Sequence, residues 1–465
     1  MSEPQSLFVN PKNTKNTLLE SERFLEDPET GEKFEKISSI FCLFQDNALS
    51  MEQWKLKAVN LLRELNQELD TIALKINQAG LALTTKKRLE ATFAAKKVFF
   101  SQMVDLLEPL CGKNYSSQNA TPYDMFNALI PKSQRVLSYS NNVFRDWAWG
   151  EDENRFYMNI VEECLKGIEK SSSVFIHGGG YGRFAADLFN RLSPDILCLS
   201  DINPAILLTA EKIIFGQGCR LVEFNQFPTR IEDLSREHLL QYSGPDIDRE
   251  RFKLVLCDSN KPCTRPGSVD LVVTPWFIDI NYSTFSQFAA NVRDSLSVDG
   301  VWVNFGPLFF DRQEIENAHT LNELEEIMEN LGFELLHSGV TQAAYLNSPL
   351  SRRERKEELY YFSARKKEFN LKNSGNVEKA KNTYLPPWIL NPSEVVPFGD
   401  QLQKYVMSQS MMATILSKID GKTSIQAMSK WAAGHFGGNY AVYQKILSDY
   451  FKEFYENYKD SLFKK

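Results

Sequence analysis

The sequence is poor in the residues that build metal sites and disulfide frameworks. It has five histidines and seven cysteines in 465 residues, and both are dispersed. The cysteines are odd in number and form no C-x-x-C or mixed His/Cys cluster, so neither a zinc site nor a disulfide scaffold is expected, and no metal is assigned. Long apolar runs are also missing. None reaches the length needed to cross a bilayer, and the polar opening MSEPQSLFVNPKNTKNTLLESE holds no apolar stretch for export. Positive charge is in deficit, 53 Lys and Arg against 60 Asp and Glu, for a net charge of -7. General nucleic-acid binders are more often basic. These absences lead to the expectation of a cytoplasmic protein with no membrane and no nucleic-acid partner.

What is present is a globular composition, 43% hydrophobic and 12% aromatic, in a chain long enough for two or three domains. Its organising stretch is 174–201, VFIHGGGYGRFAADLFNRLSPDILCLSD. An apolar run, a glycine cluster, a helical pattern and a second apolar run ending in an acid predict strand, turn, helix and strand of a doubly wound α/β domain. Gly178, Gly180 and Gly182 give G-x-G-x-G, shorter than the G-x-G-x-x-G of dinucleotide sites. The shorter form is the one that class I S-adenosylmethionine methyltransferases use. Glycines there let backbone approach a ligand, and the helix start offers N–H groups. Asp201, at the end of the second strand, is placed to accept from a ribose diol. The alternative is a turn that only joins strand to helix tightly.

Along the chain, residues 1–35 read as a polar arm and 36–130 as a helical cap. In the cap, Val59, Leu62, Leu65, Leu69, Ile72 and Ile76 keep helical spacing, and a second helix is expected to stop before Pro109. Residues 131–366 alternate helices and strands as one Rossmann-like unit. Just ahead of its first strand stand Arg145, Trp147, Trp149 and Arg155. Guanidinium groups suit a carboxylate such as that of the donor's methionine part; otherwise the tryptophans are core and the arginines surface. The strand KLVLCD ends at Asp258, placed either to accept from an adenine amino group or to cap a turn. SVDLVVTPWFIDI exits its strand with Trp276, Phe277 and Asp279, followed by Asn281, at the sheet edge where ligands sit. The next helix is expected to run to Gly300. VWVNFGPLFF leads into Asp311, and LYYFSARK is the last strand. Residues 227–252 read as a polar insertion, 367–398 as a linker, and 399–465 as a small winged-helix-like module of helices with some strand.

The motifs FRDW, HGGGYGR, WFID, WVNFGPL and YYFSARK resemble those of the carnosine N-methyltransferase family, from about residue 130 to 366. The resemblance implies a class I methyltransferase fold, S-adenosylmethionine as donor and a nitrogen as acceptor. It implies substrate contact for Asp279, and transfers the FRDW arginine and tryptophan to Arg145 and Trp147 and a later arginine to Arg155. Two places depart from the family. Its G-P-L segment runs into a histidine that helps to hold the substrate imidazole, where this chain has Asp311. Its tyrosines before the final strand give way to RRERKEE, with Arg353, Arg355 and Lys356. The donor half follows the family and the acceptor half is rewritten. ILSKIDGKTSIQ resembles the small PqqD-like modules that hold peptides.

The expected function is therefore N-methylation of a small cationic or N–H-rich acceptor, either a small molecule or a short peptide. Gly178, Gly180, Gly182, Asp201, Asp258, Arg145, Trp147, Arg155 and Trp276 would hold the donor. Phe277, Asp279, Asn281 and Asp311 would hold the acceptor, with Asp279 and Asp311 as proton acceptors. A peptide-modifying enzyme with a C-terminal capture module, and a scaffold without turnover, are the alternatives. The sequence leaves open whether the chain forms a homodimer.

Overall fold

The computed structural model describes residues 6–112, 134–168, 171–310, 315–368 and 399–462. Two compact units result, Met1–Asn376 and Val377–Lys465.

The larger unit begins with strands. β1 (Val9–Asn10) and β2 (Asn13–Thr17) pair antiparallel, and β3 (Leu19–Glu20), β4 (Phe24–Glu26), β5 (Lys33–Ile37) and β6 (Ile40–Leu43) follow as a meander. The expected polar arm is thus folded. Its polar residues mask single apolar side chains, Leu18, Leu25 and Phe34, that are fully buried. Buried Asp27 is satisfied by Asn10 Nδ2 at 2.8 Å, Asn16 Nδ2 at 2.9 Å and the Glu29 amide at 2.9 Å. Residues 36–43, read as the start of the helical cap, hold the end of β5 and all of β6; all four residues of β6 are buried, which suits a strand covered on both faces.

Two long helices come next. α1 (Asn47–Ile76) starts at Asp46, whose carboxylate accepts from the Leu49 amide at 3.0 Å, an N-cap. α2 (Leu83–Cys111) runs two residues past Pro109 instead of stopping before it. Proline leaves the carbonyl four residues back without its donor. That carbonyl, Asp105 O, takes Lys212 Nζ at 2.9 Å instead. The helices are not a separate cap domain, because Trp54, Ala58 and Leu62 share one core with Val174 and Leu199 of the central sheet.

The α/β part follows the expected alternation: α3 (Glu151–Cys164), β7 (Ser173–His177), α4 (Arg183–Leu192), β8 (Ile196–Asp201), α5 (Pro204–Ile214), β9 (Cys219–Phe224), β10 (Ser235–Leu240), β11 (Phe252–Cys257), β12 (Val269–Pro275), α6 (Phe285–Ser295), β13 (Leu296–Gly306), α7 (Leu321–Asn330), β14 (Phe333–Ala344) and β15 (Lys356–Lys366). The read insertion 227–252 holds β10, which folds back antiparallel on β9. α6 stops at Ser295 rather than Gly300, because buried Leu296 turns to extended backbone and opens β13.

Strand order in the main sheet is β14-β15-β13-β12-β7-β8-β11-β6-β5-β4-β3. β12, β13, β7, β8, β11 and β6 run parallel, and β15 is antiparallel to both its neighbours. The order reverses between β7 and β12, so the carboxyl ends of β7, β8 and β12 form the crevice where such sheets bind ligands. This is the class I methyltransferase sheet, extended on one edge by the N-terminal meander.

The second unit holds α8 (Asp400–Leu416), α9 (Ile425–Phe436) and α10 (Tyr440–Leu462) around Ile415, Met428, Ala432 and Leu447. No strand occurs among the described residues 399–462, so the expected wing is not there. Gly437 and Gly438, both at positive φ, turn α9 into α10 within a few residues and leave no length for a hairpin. The read linker lies outside the described residues from 369 to 398. No helix among the described residues is long and apolar enough to cross a membrane.

Candidate active site

A cavity of about 920 Å³ opens at the carboxyl ends of β7, β8, β11, β12 and β13. That volume is at the upper end of the usual range for small-molecule sites, roughly 300–1,000 Å³.

Its floor is the turn after β7. The Gly178 amide donates to Ser200 O at 2.9 Å, which ties the turn to β8. Gly178 and Gly180 have φ of 64° and 58°, a region that strains any residue with a Cβ. At Gly180 a Cβ would meet nothing within 4 Å, so the backbone faces open cavity there. Gly182 does not line the cavity. It begins α4, and a Cβ would lie 2.8 Å from Ile214 Cδ1, so this glycine lets the helix pack against α5. Trp147, expected against the donor, stands behind the turn and donates from Nε1 to Tyr181 O at 2.9 Å.

Asp201 and Asp258 line the cavity from β8 and β11. Asp201 Oδ1 accepts from the Asn203 amide at 2.9 Å. Burial nevertheless pushes its carboxyl up to about 7. Asp258 accepts from the Asn260 amide at 3.0 Å and from the Tyr282 hydroxyl, so it caps its turn and faces the cavity as well.

A π-helical turn, Arg145–Trp149, precedes α3. It carries Arg145 into the cavity wall, where Nε and Nη2 donate to Asp146 Oδ1 at 2.8 and 2.6 Å. Burial opposes the charge on Arg145, and adjacent Asp146 overcomes this and holds the guanidinium ionised. Arg155 is different: it is exposed and pairs with Asp152 one helical turn away, outside the cavity.

The opposite wall is built by β12 and β13. Trp276 has φ of 52°, and its amide donates to Phe305 O at 2.8 Å. This close approach needs Gly306, where a Cβ would sit 3.0 Å from Trp276 Cα. Phe277 packs on His177 and Phe288 beneath the glycine turn. Asp279 is 2% exposed, lines the cavity and accepts from the Phe309 amide at 3.1 Å. That bond ties the F-I-D segment to the end of N-F-G-P-L. Asn281 lines the cavity too, and its Oδ1 accepts from the Ser283 amide at 3.1 Å. Asp311 lies outside the described residues.

Sequence reasoning missed Asn142, Tyr157 and Tyr345, all in the cavity wall. Tyr157 stacks on Phe305, and Tyr345 lies 4.4 Å from Trp276, ring to ring. Their positions carry no local motif. Arg355, which also lines the cavity, was visible only as a departure from the family pattern.

Residues 226–368 match the family model described as carnosine N-methyltransferase. Over that span the chain is similar to the carnosine N-methyltransferase family. A carnosine N-methyltransferase from Schizosaccharomyces pombe is 21% identical over 362 residues, which cover 70% of this chain and 93% of that protein. Among solved structures, the N-methyltransferase NodS of Bradyrhizobium japonicum in complex with S-adenosylhomocysteine is 13% identical, covering 49% of this chain and 97% of that one, with a TM-score of 0.32. An S-adenosylmethionine-dependent methyltransferase from Mesorhizobium loti is 13% identical, with 45% and 96% covered and a TM-score of 0.30.

This N-methyltransferase takes S-adenosylmethionine as its methyl donor, and the cavity fits that group. Backbone at Gly180 opens onto space that a Cβ would enter. The Asp201 carboxyl and the buried Arg145 guanidinium line the same volume, one suited to a diol and the other to a carboxylate.

Proposed function

We propose that the methyltransferase modifies a nitrogen of a small N–H-rich acceptor, such as an amino acid, an imidazole, guanidine or amine metabolite, or a short peptide, and that Asp279 holds that nitrogen. The observation that carries this reading is the burial of Asp279 in the cavity that also contains the glycine turn and Asp201.

In this reading Arg145 takes the methionine carboxylate, Asp201 the ribose hydroxyls and Asp258 the adenine amino group. Trp276 and Phe277 wall the space between them and Asp279. When bound, S-adenosylmethionine supplies a methyl group made electrophilic by a sulfonium. Asp279 accepts a hydrogen bond from the acceptor N–H, which aims the nitrogen lone pair at the donor. It would then take the proton that the acceptor nitrogen loses on methylation. The Phe309 amide, donating to Asp279, keeps the carboxylate oriented for this. Trp276 and Tyr345 pack together over the site and keep water from it.

The test is Asp279→Asn, with methyl transfer to histidine, arginine, lysine and short peptides followed by mass spectrometry. Turnover should fall by about 10²–10⁴-fold, the usual worth of a positioned base, while calorimetry shows unchanged S-adenosylhomocysteine affinity. Turnover at the wild-type rate would remove Asp279 from the reaction.

A further inference from the structure

The cavity has a second guanidinium. Arg355 lines it from the first turn of chain before β15. Its place in the sheet separates it from the two donor-side acids. Asp201 and Asp258 end β8 and β11, on one side of β7. β15 lies on the other side, beyond β12 and β13. The strand exit that bears Asp279 is therefore between Arg355 and the two donor-side acids.

Its surroundings hold it there. The Arg355 amide donates to Asn347 Oδ1 at 2.7 Å, and its carbonyl accepts from the Tyr345 amide at 3.0 Å. The guanidinium lies 4.7 Å from the Tyr345 ring centroid, and that ring packs on Trp276. Nε pairs with Glu357, and no other ion pair or hydrogen bond of this side chain occurs among the described residues. The Nη edge of the fork remains for a ligand. An arginine over an aromatic, with one edge braced by a carboxylate, presents a planar donor pair. Its natural complement is a carboxylate.

We infer that Arg355 is a specificity residue that binds a carboxylate of the acceptor, so that the enzyme selects a molecule bearing both a methylatable nitrogen and a carboxylate over the corresponding simple amine. This rests on the acceptor nitrogen being held at Asp279. The cation at one end and the acid at the other read the two ends of one zwitterionic molecule, and a bare cation is disfavoured beside Arg355.

The experiment uses the full chain saturated with S-adenosylhomocysteine and paired probes that differ in the carboxylate: imidazole-4-acetate with 4-methylimidazole, histidine with histamine, and arginine with agmatine. Calorimetry on the wild type, Arg355→Met and Arg355→Lys reads affinity without turnover. The carboxylate member of at least one pair should bind at least tenfold more tightly to the wild type. Arg355→Met should abolish that preference, and Arg355→Lys should keep part of it. Affinity for S-adenosylhomocysteine itself should not change. Equal affinities within every pair, or no binding by any carboxylate member, overturn the inference. A loss of S-adenosylhomocysteine affinity in Arg355→Met also overturns it, by assigning the arginine to the donor. The effect of Asp279→Asn on turnover is read separately, so the failure of one reading is distinguishable from the failure of the other.

Discussion

Asp201 carries two opposed demands. Burial raises its carboxyl to about 7, so below that pH the unliganded protein keeps a proton there. Hydroxyl donors from a ribose favour the ionised form. S-adenosylhomocysteine affinity should therefore rise with pH up to about 7 and level off above it, and binding at pH 6.5 should release protons. Calorimetry in buffers of differing ionisation enthalpy checks both; flat affinity from pH 5.5 to 8.5 refutes this. The same shift has a cost in stability. An unfolded carboxylate ionises near 3.9, so the folded state holds the extra proton between about pH 4 and 7, and this group's contribution to stability falls as pH rises through that window. Asp201→Asn should raise the Tm of the unliganded protein at pH 8 and weaken S-adenosylhomocysteine at least tenfold. The glycines and acids of the site were legible because each sits at a strand exit, a place set by local pattern. Arg145, Trp147 and Arg155 share one short stretch, yet only Arg145 reaches the cavity. A π-turn passing into α3 points the three side chains in different directions, and sequence spacing does not show that turn.

The segment from Tyr345 to Arg355 is held by elements far from it in sequence. Glu153, in the first turn of α3, accepts from the amides of Leu346 and Asn347 at 3.1 Å each. Ser348 donates to Glu223 of β9, which also pairs with His238 of β10 at 2.8 Å, and Asn225 Nδ2 reaches Leu350 O at 2.6 Å. The β9–β10 hairpin is thus a platform for one wall of the active site. Glu153→Ala leaves two amides without acceptors, at about 1–3 kcal/mol. We expect it to raise KM for the acceptor several-fold with unchanged S-adenosylhomocysteine affinity; an unchanged KM would show that the loop holds itself. A second element-scale test concerns the N-terminal meander. Burial alone would raise the Asp27 carboxyl, but its hydrogen bonds from Asn10, Asn16 and the Glu29 amide outweigh that and lower it to about 2. Its contribution is complete above an unfolded value of 3.8 and is lost as pH falls through about 2. Asp27→Asn should flatten the acid limb of the unfolding curve between pH 4 and 2. Neither the hairpin nor the meander was legible. Strands of two to six residues, with one apolar side chain in several, give too few repeats for a period to stand out.

At the scale of the whole molecule, the alternation from β7 to β15 was legible because every parallel strand there is an apolar run bounded by turn residues. The boundaries around it were not. What reads as arm and what reads as cap both pack into the cores of the α/β sheet, the arm into one and the two long helices into the other. The C-terminal unit, Val377–Lys465, is built from helices alone among its described residues. Ligand that binds one unit stabilises that unit by mass action, about 2.7 kcal/mol at a hundredfold excess over Kd. Scanning calorimetry with S-adenosylhomocysteine should therefore shift the transition of Met1–Asn376 and leave that of Val377–Lys465 in place. A common shift would mean that the units unfold as one.

The parallel pairing of β6 with β11 has a consequence for synthesis. Phe41 lies beside Val255, and Leu43 beside Cys257. On a ribosome adding about 5–20 residues per second, the neighbour that β6 needs emerges roughly 10–40 s after β6 itself. For that interval β6 is paired with β5 on one edge only, and the edge that β11 will cover stays open.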